Sequence, residues 1–436
     1  MRKLALHWQI ILGMVVGIIF GIASTQFSGG TGFVVDWVKP FGTIFINALK
    51  LIAVPLVVTS LIKGVSDLKD ISKLSSMGGR TIGIYLVTTL FAVTIGLLAV
   101  NIIKPGNLIS EETRVQLVGD FETDASGKIA MAEGQKNAGP LQALVDLVPG
   151  NIFKALTENS SMLQVIFFVL IFGVAMILVD PKQAAPVKSF FDGLNDIILK
   201  LIDLIMLTAP IGVFALMASL VAESPSVDIF KALLGYAGTV LLGLSILILF
   251  FYPFLVKTFT GRNIKTFFEG IAPAQLLAFS TSSSAATLPV TMERVEEHLG
   301  VDKEVTSFVL PIGATINMDG TSCYQAIAAV FIAQAYGLDL SIGQQLGIVA
   351  TATLASIGTA AVPSAGLVML VIILGQAGIP EAGLALIFAV DRPLDMFRTV
   401  ANITGDATVA MVVGKSMGKL GDPKPKNWDD NYEAVK

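Results

Sequence analysis

The stretch DRPLDMFRTVANITGD, residues 391–406, sets charged and amide side chains into an otherwise apolar part of the chain, between LALIFAV and ATVAMVVG. At helical spacing Asp395, Arg398, Thr399, Asn402 and Asp406 share a face, because i, i+3, i+4 and i+7 stack along a helix. A guanidinium binds a carboxylate through two parallel hydrogen bonds, and a nearby aspartate can hold an ammonium. Together Asp395 and Arg398 read as a receptor for an acidic amino acid, leaving Asn402 and Asp406 for a cation. The competing reading is an ion pair that merely neutralises itself. Against it, this face has more polar groups than one pair consumes.

Two further motifs invite chemistry. In LPIGATINMDGTS an Asn317, an Asp319, carbonyls freed around Gly313 and Gly320, and Thr321 interrupt an apolar run. Oxygen ligands with little added charge suit a sodium ion, and unwound helix carbonyls supply them. An EF-hand would need more carboxylates and a distal glutamate. STSSSAATLP, by composition a linker, lies between apolar arms and reads better as a hairpin tip whose N–H groups and hydroxyls could hold a carboxylate. Tyr85, Thr88 and Thr89 say little by themselves, since threonine in a helix commonly bonds its own i−4 carbonyl. No GxSxG or Cys/His cluster is present, so neither a serine hydrolase nor a zinc or haem site is indicated.

The elements holding these motifs are membrane spans. The 436-residue chain is 54% hydrophobic and 14% charged, against about 25% charged for a soluble protein, and its mean hydropathy is +0.76. The net charge of −4 and the absence of a basic patch give no sign of a nucleic-acid partner. Spanning runs recur near 4–25, 40–66, 80–104, 162–179, 188–221 and 228–256, the second interrupted by Lys50 and Pro55, the fifth by Asp203 and Pro210. The first reads as a retained span, since no convincing cleavage site follows it. The basic loops around Lys63–Arg80 and Lys257–Lys265, with Arg2 and Lys3, alternate with a long acidic linker, so the positive-inside rule puts the N-terminus in the cytoplasm and the linker outside.

The last third of the chain departs from simple spans. Runs 265–293, 304–335 and 343–376 are each broken by small polar residues, Gly or Pro, and such breaks must be buried in protein or line a cavity. The chain also repeats itself. SAATLP at Ser284 resembles TAAVP at Thr359, 75 residues on, and NMDGT at Asn317 resembles NITGD at Asn402, 85 on. The pattern is that of duplicated, inverted transporter units, each a re-entrant hairpin followed by a span with a broken middle. The fold expected is therefore an all-α polytopic membrane protein.

On these motifs (SSSAATLP, LPIGATINMDGT, LASIGTAAVPSAG, LDMFRT, NITGD) the chain resembles the glutamate transporter family, the dicarboxylate/amino acid:cation symporters, over nearly all its length except the 104–140 linker and the C-terminal tail. The resemblance implies eight transmembrane helices plus two re-entrant helical hairpins, an elevator-type mechanism and a homotrimer. It implies scaffold helices in 1–79 and 141–222, transport-domain elements in 80–104 and 223–418, an extracellular linker at 105–140 and a cytoplasmic tail at 419–436. Carried over by motif, substrate meets Ser283, Ser284, Thr321, Val362, Gly366, Asp395, Arg398, Thr399 and Asn402. One sodium is held by Gly313, Asn317, Asn402 and Asp406. A second takes carbonyls of Thr315, Met318, Ser356, Ile357 and Thr359. A third uses Tyr85, Thr88, Thr89, Asn317 and Asp319.

There are departures from the family's patterns. Ser282 replaces the hairpin arginine of archaeal members, and Arg392, i−3 from Asp395, offers a substitute. Phe397 stands where many relatives have a small residue and would reshape the pocket. Gln325 occupies the place of a glutamate tied to proton and potassium coupling in animal members, and its neutrality argues against that cycle. The expected activity is sodium-driven symport of L-aspartate and/or L-glutamate across a prokaryotic cytoplasmic membrane, with sodium as coupling ion, no other cofactor and no enzymatic role. A proton-driven carrier is the nearest alternative. A C4-dicarboxylate carrier is disfavoured by the charge of Asp395.

Overall fold

A computed structural model describes residues 6–66, 75–119, 148–157, 162–223, 227–358 and 365–423. Among the described residues there is no β-strand; one isolated bridge pairs Val301 with Leu420. The principal helices are α1 (Leu6–Thr25), α2 (Lys39–Ser66), α3 (Ser75–Ile103), α4 (Met162–Leu178), α5 (Pro181–Met206), α6 (Ala209–Glu223) and α7 (Val227–Ile246). They are followed by α8 (Ile264–Thr281), α9 (Ser284–Glu293), α10 (Lys303–Ile316), α11 (Asp319–Ala335), α12 (Ile342–Gly358), α13 (Ala365–Ala377) and α14 (Leu384–Ser416). Among the described residues, three helical stretches are long and apolar enough to cross a membrane: Gly30–Lys63, Met77–Leu108 and Asp228–Thr260.

Helix α1 lies along α6, and α2 packs on α4, α5 and α6. The close approach of α1 is made by Gly13, Gly17 and Gly21, one every four residues. A Cβ on Gly17 or Gly21 would come within 2.5 Å of Phe214 O or 2.8 Å of Ala218 O. In the other half of the chain α11 is walled in by α3, α7 and α14, and α14 in turn by α8, α10 and α11. Every residue of α11 from Asp319 to Ala333 is buried, polar ones included, so its polar groups must be satisfied by protein or by what the protein binds.

Helices α8 and α9 pack against each other as a hairpin. Asn263 caps α8 by accepting from Lys265 N at 2.9 Å, Ser282 turns the chain with φ 52°, and Ser283 caps α9 by accepting from Ala286 N. A non-glycine residue in the left-handed region is uncommon and gathers at ligand clamps. The second hairpin has arms α12 and α13; its tip, with Thr359 and Val362, lies outside the described residues.

Three expectations need correction. The fifth run is two helices, α5 and α6, meeting at a turn over 207–208, so Pro210 sits in the first turn of a helix, where its missing N–H costs nothing, instead of kinking one. The NMDG break is confined to Asn317 and Met318, and the Gly313 carbonyl is not freed, because it accepts Asn317 N at 2.9 Å. NITGD is no break at all: α14 runs unbroken through it. Asn402 and Asp406 reach sideways to α10 and α11, and Gly405 makes room for Tyr252 Oη, which lies 2.9 Å from where its Cβ would be.

Candidate functional site

Helix α14 brings four charges into contact. Arg398, 1% exposed, donates from Nη2 to Asp395 Oδ1 at 2.6 Å and from Nη1 to Asp391 Oδ1 at 2.9 Å. Arg392 Nη1 donates to Asp395 Oδ2 at 3.1 Å. The guanidinium carbon of Arg398 stands 3.9 Å over the Tyr324 ring on α11, a cation–π contact that fixes its plane. The Arg398 Nε–H makes no hydrogen bond among the described residues. Two carboxylates and two guanidiniums balance to zero, so the buried cluster is neutral as a set. Thr399 spends its hydroxyl on Asp395 O at 2.9 Å, holding this turn of the helix.

One turn on, Asn402 spans the gap to α11. Its Oδ1 accepts Gly320 N at 2.8 Å and Thr321 N at 3.4 Å, satisfying N-terminal N–H groups that a helix leaves unpaired. Its Nδ2 donates to Thr321 Oγ1 and Met318 Sδ, both at 3.2 Å. Beyond it lies a nest of oxygens. Asn317 Nδ2 donates to Asp406 Oδ1 at 3.0 Å, and Asn317 Oδ1 receives the Thr88 and Thr89 hydroxyls at 3.4 and 3.5 Å. Thr89 Oγ1 also donates to Asp319 Oδ1 at 2.7 Å, and Tyr252 Oη to Asp319 Oδ2 at 3.1 Å. Tyr85 Oη, bonded to Val309 O at 3.0 Å, and Asp406 crowd the face of Gly313. All these side chains are at most 2% exposed. Two buried carboxylates among hydroxyl, phenol and amide oxygens, with no lysine or arginine bonded to either among the described residues, form a hard-cation donor set.

The sequence-expected residues are not all placed alike. Tyr85, Thr88, Thr89, Gly313, Asn317, Asp319, Asn402 and Asp406 are brought together, as are Thr321, Gly366, Asp395, Arg398 and Thr399. A Cβ on Gly366 would stand 3.5 Å from Arg398 Nη1 and 2.9 Å from the Thr321 methyl, so the second hairpin's arm touches the arginine. Ser283 and Ser284 are buried at the first hairpin's tip. For the second sodium, the Thr315 hydroxyl closes on Ile312 O at 2.9 Å and that of Ser356 on Thr353 O at 2.8 Å, while Met318 O accepts Ser322 N. The backbone of Ile357 ends α12, and Thr359 and Val362 are outside the described residues.

Three contributors were not foreseen. Asp391 pairs with Arg398, and its i, i+7 spacing was the available signal. Tyr324 and Tyr252 come from distant helices with no local cue. Gln325 Nε2 donates to Gly366 O at 3.1 Å, tying α11 to the second hairpin. Phe397, by contrast, does not face this cluster's arginine: it meets Phe279 of α8 edge-on, centroids 5.1 Å apart at 80°.

The chain matches known proteins along almost its whole length. The family model described as "Sodium:dicarboxylate symporter family" matches residues 6–416. The chain is 36% identical to a proton/sodium-glutamate symport protein of Geobacillus stearothermophilus, covering 98% of each chain. It is 37% identical to excitatory amino acid transporter 3 of Mus musculus, over 95% of this chain and 86% of that one. It is 34% identical to the proton/glutamate-aspartate symporter of Escherichia coli (strain K12), over 95% and 93%. A chain matched almost from end to end, with a buried oxygen nest beside a neutral carboxylate–guanidinium cluster, belongs to the sodium:dicarboxylate symporter family.

Proposed function

We propose that this protein is a secondary symporter that takes up L-aspartate and/or L-glutamate together with sodium ions. The observation that carries the reading is the Asp395–Arg398 pair beside Gly366 and Thr321. A ligand bearing both an ammonium and a carboxylate can exchange one internal ion pair for two, so neither buried charge is left bare; removing one partner of a buried pair otherwise costs about 3–5 kcal/mol. A dicarboxylate without an amine would set a further anion beside Asp391 and Asp395, which disfavours it. Names of relatives containing glutamate, sodium and proton support acidic amino acid symport and leave proton coupling as the second reading. The oxygen nest around Asp319 and Asp406 favours sodium.

In this reading the substrate meets Ser283, Ser284, Thr321, Val362, Gly366, Asp395, Arg398, Thr399 and Asn402. Sodium ions take the nest, with a further one between Thr315, Met318, Ser356, Ile357 and Thr359. Residues 80–104 and 223–418 move as a transport domain against a scaffold of 1–79 and 141–222, in a trimer in the cytoplasmic membrane with both termini inside. The tip between α12 and α13 closes when substrate and sodium are both bound, and closure permits crossing.

The test is uptake by purified protein in liposomes under separate sodium and proton gradients, with aspartate, glutamate and succinate compared. Sodium-driven aspartate or glutamate uptake is expected, abolished in Arg398→Ala with the oligomer intact. Uptake driven by protons in sodium-free buffer would overturn the coupling, and succinate outcompeting aspartate would overturn the substrate.

A further inference from the structure

Apart from the residues assigned to substrate and sodium, the end of the first hairpin's second arm gathers three metal-ligating side chains. Helix α9 ends at Glu293 and continues into a wide turn over Arg294–His298, in which Leu299 N bonds to Arg294 O at 3.1 Å, an i→i+5 closure. The width matters. In an ordinary α-helix Glu293 and Glu297 share a face, but a residue five positions on points well away from the first. The i→i+5 turn lets His298 come round beneath Glu293. As a result one ligand atom from each of Glu293, Glu297 and His298 lies within 4.8 Å of the others.

His298 is not a surface side chain. It is 5% exposed, and its Nε2 is turned into the cluster, 3.5 Å from Glu293 Oε1. That separation is long for a hydrogen bond. It matches two donors sharing one tetrahedral ion, which at bond lengths of 2.0–2.1 Å stand roughly 3.3–3.4 Å apart. Arg294, the cation within this turn, directs its Nε to Gly270 O on α8 at 2.8 Å.

We infer that Glu293, Glu297 and His298 form a binding site for a borderline divalent cation, Zn²⁺ being the ion whose ligand preferences fit one imidazole and two carboxylates. The ion would fasten the hairpin arm to the turn that starts α10, next to the bridge between Val301 and Leu420. With three protein ligands, a solvent molecule would complete the tetrahedron.

The experiment uses the full chain, purified in detergent and stripped with a chelator, and titrates it with Co²⁺ by visible absorption and with Zn²⁺ by calorimetry. One equivalent per chain is expected, with the intense absorption of a tetrahedral cobalt centre, and Glu293→Gln or Glu297→Gln should weaken binding tenfold or more. Both glutamates are partly exposed, so these variants fold even if His298→Gln does not. Absence of saturable binding, or stoichiometric binding unchanged in the Glu293→Gln/Glu297→Gln double variant, would overturn the site. Sodium-driven uptake plays no part in this readout, so its outcome is independent of the transport reading.

Discussion

Gly313→Ala puts the oxygen nest to a direct test. The glycine lies on α10 with Asp406 Oδ1 2.5 Å from where a Cβ would be, and Tyr85 Oη against it from the other side. Neither neighbour can yield freely. Tyr85 Oη is held by Val309 O at 3.0 Å, and Asp406 by Asn317 Nδ2 at 3.0 Å. A methyl group here must either part the helices or break one of those bonds. Overpacking of this kind costs about 1–3 kcal/mol. If that cost falls on the geometry that receives sodium, half-saturating sodium should rise roughly 5- to 150-fold at ~1.4 kcal/mol per tenfold. The assay is aspartate uptake in liposomes as a function of sodium, with monodispersity of the purified variant checked by size exclusion. Saturating sodium should restore aspartate affinity. Gly83→Ala on α3 is the control, because nothing lies within 4 Å of its Cβ position and alanine favours the helix. A Gly313→Ala protein with wild-type sodium dependence would refute the placement of a cation here.

Two further experiments probe neighbours of the site. Tyr252→Phe deletes the hydroxyl that donates to Asp319 Oδ2 at 3.1 Å; a hydrogen bond to a charged group contributes about 1.5–3 kcal/mol, so sodium titration of uptake should shift about tenfold or more, and an unmoved curve would remove Tyr252 from the site. The Phe279–Phe397 edge contact should show a coupling of about 0.5–1.5 kcal/mol in a double-mutant cycle on thermal stability; strictly additive losses would mean that the contact does not fasten the first hairpin to α14.

What could be read from the residues, and what could not, follows from how far each signal reaches. The polar face of α14 was legible because charges in an apolar run demand a partner. The tip at STSSSAATLP was legible because a linker-like run between two apolar arms must be buried in protein or line a cavity. The spacing of Gly13, Gly17 and Gly21 was equally local and was overlooked. NITGD was misread for a physical reason: polar residues and glycine within a span look the same whether they break a helix or furnish a neighbour's partners. Only the sideways reach of Asn402 and Asp406, and the fit of Gly405 against Tyr252, decides between them. Tyr252 and Tyr324 reach the site through tertiary packing, and no spacing within their own helices reports it.

That sideways reach bears on coupling. Asn402 does not stand between two independent sites; it holds the chain where α10 stops and α11 starts, through Gly320 N, Thr321 and Met318. The same two-residue break presents Asn317 to Asp406, Thr88 and Thr89, and is followed at once by Asp319. The register of α14 and the geometry of the break are therefore one mechanical unit. Under the proposed function, a substrate that engages Thr321 and Arg398 bears on one end of this unit and a cation between Asp319 and Asp406 on the other. Gln325 extends the unit to the second hairpin through Gly366 O, beside the Arg398 guanidinium. Coupling then needs no long relay. Three neighbouring elements, each bonded to the next, share the consequences of either ligand, and the strength of coupling is set by how little α10, α11 and α14 can shift without breaking the bonds among Asn317, Asn402 and Asp406.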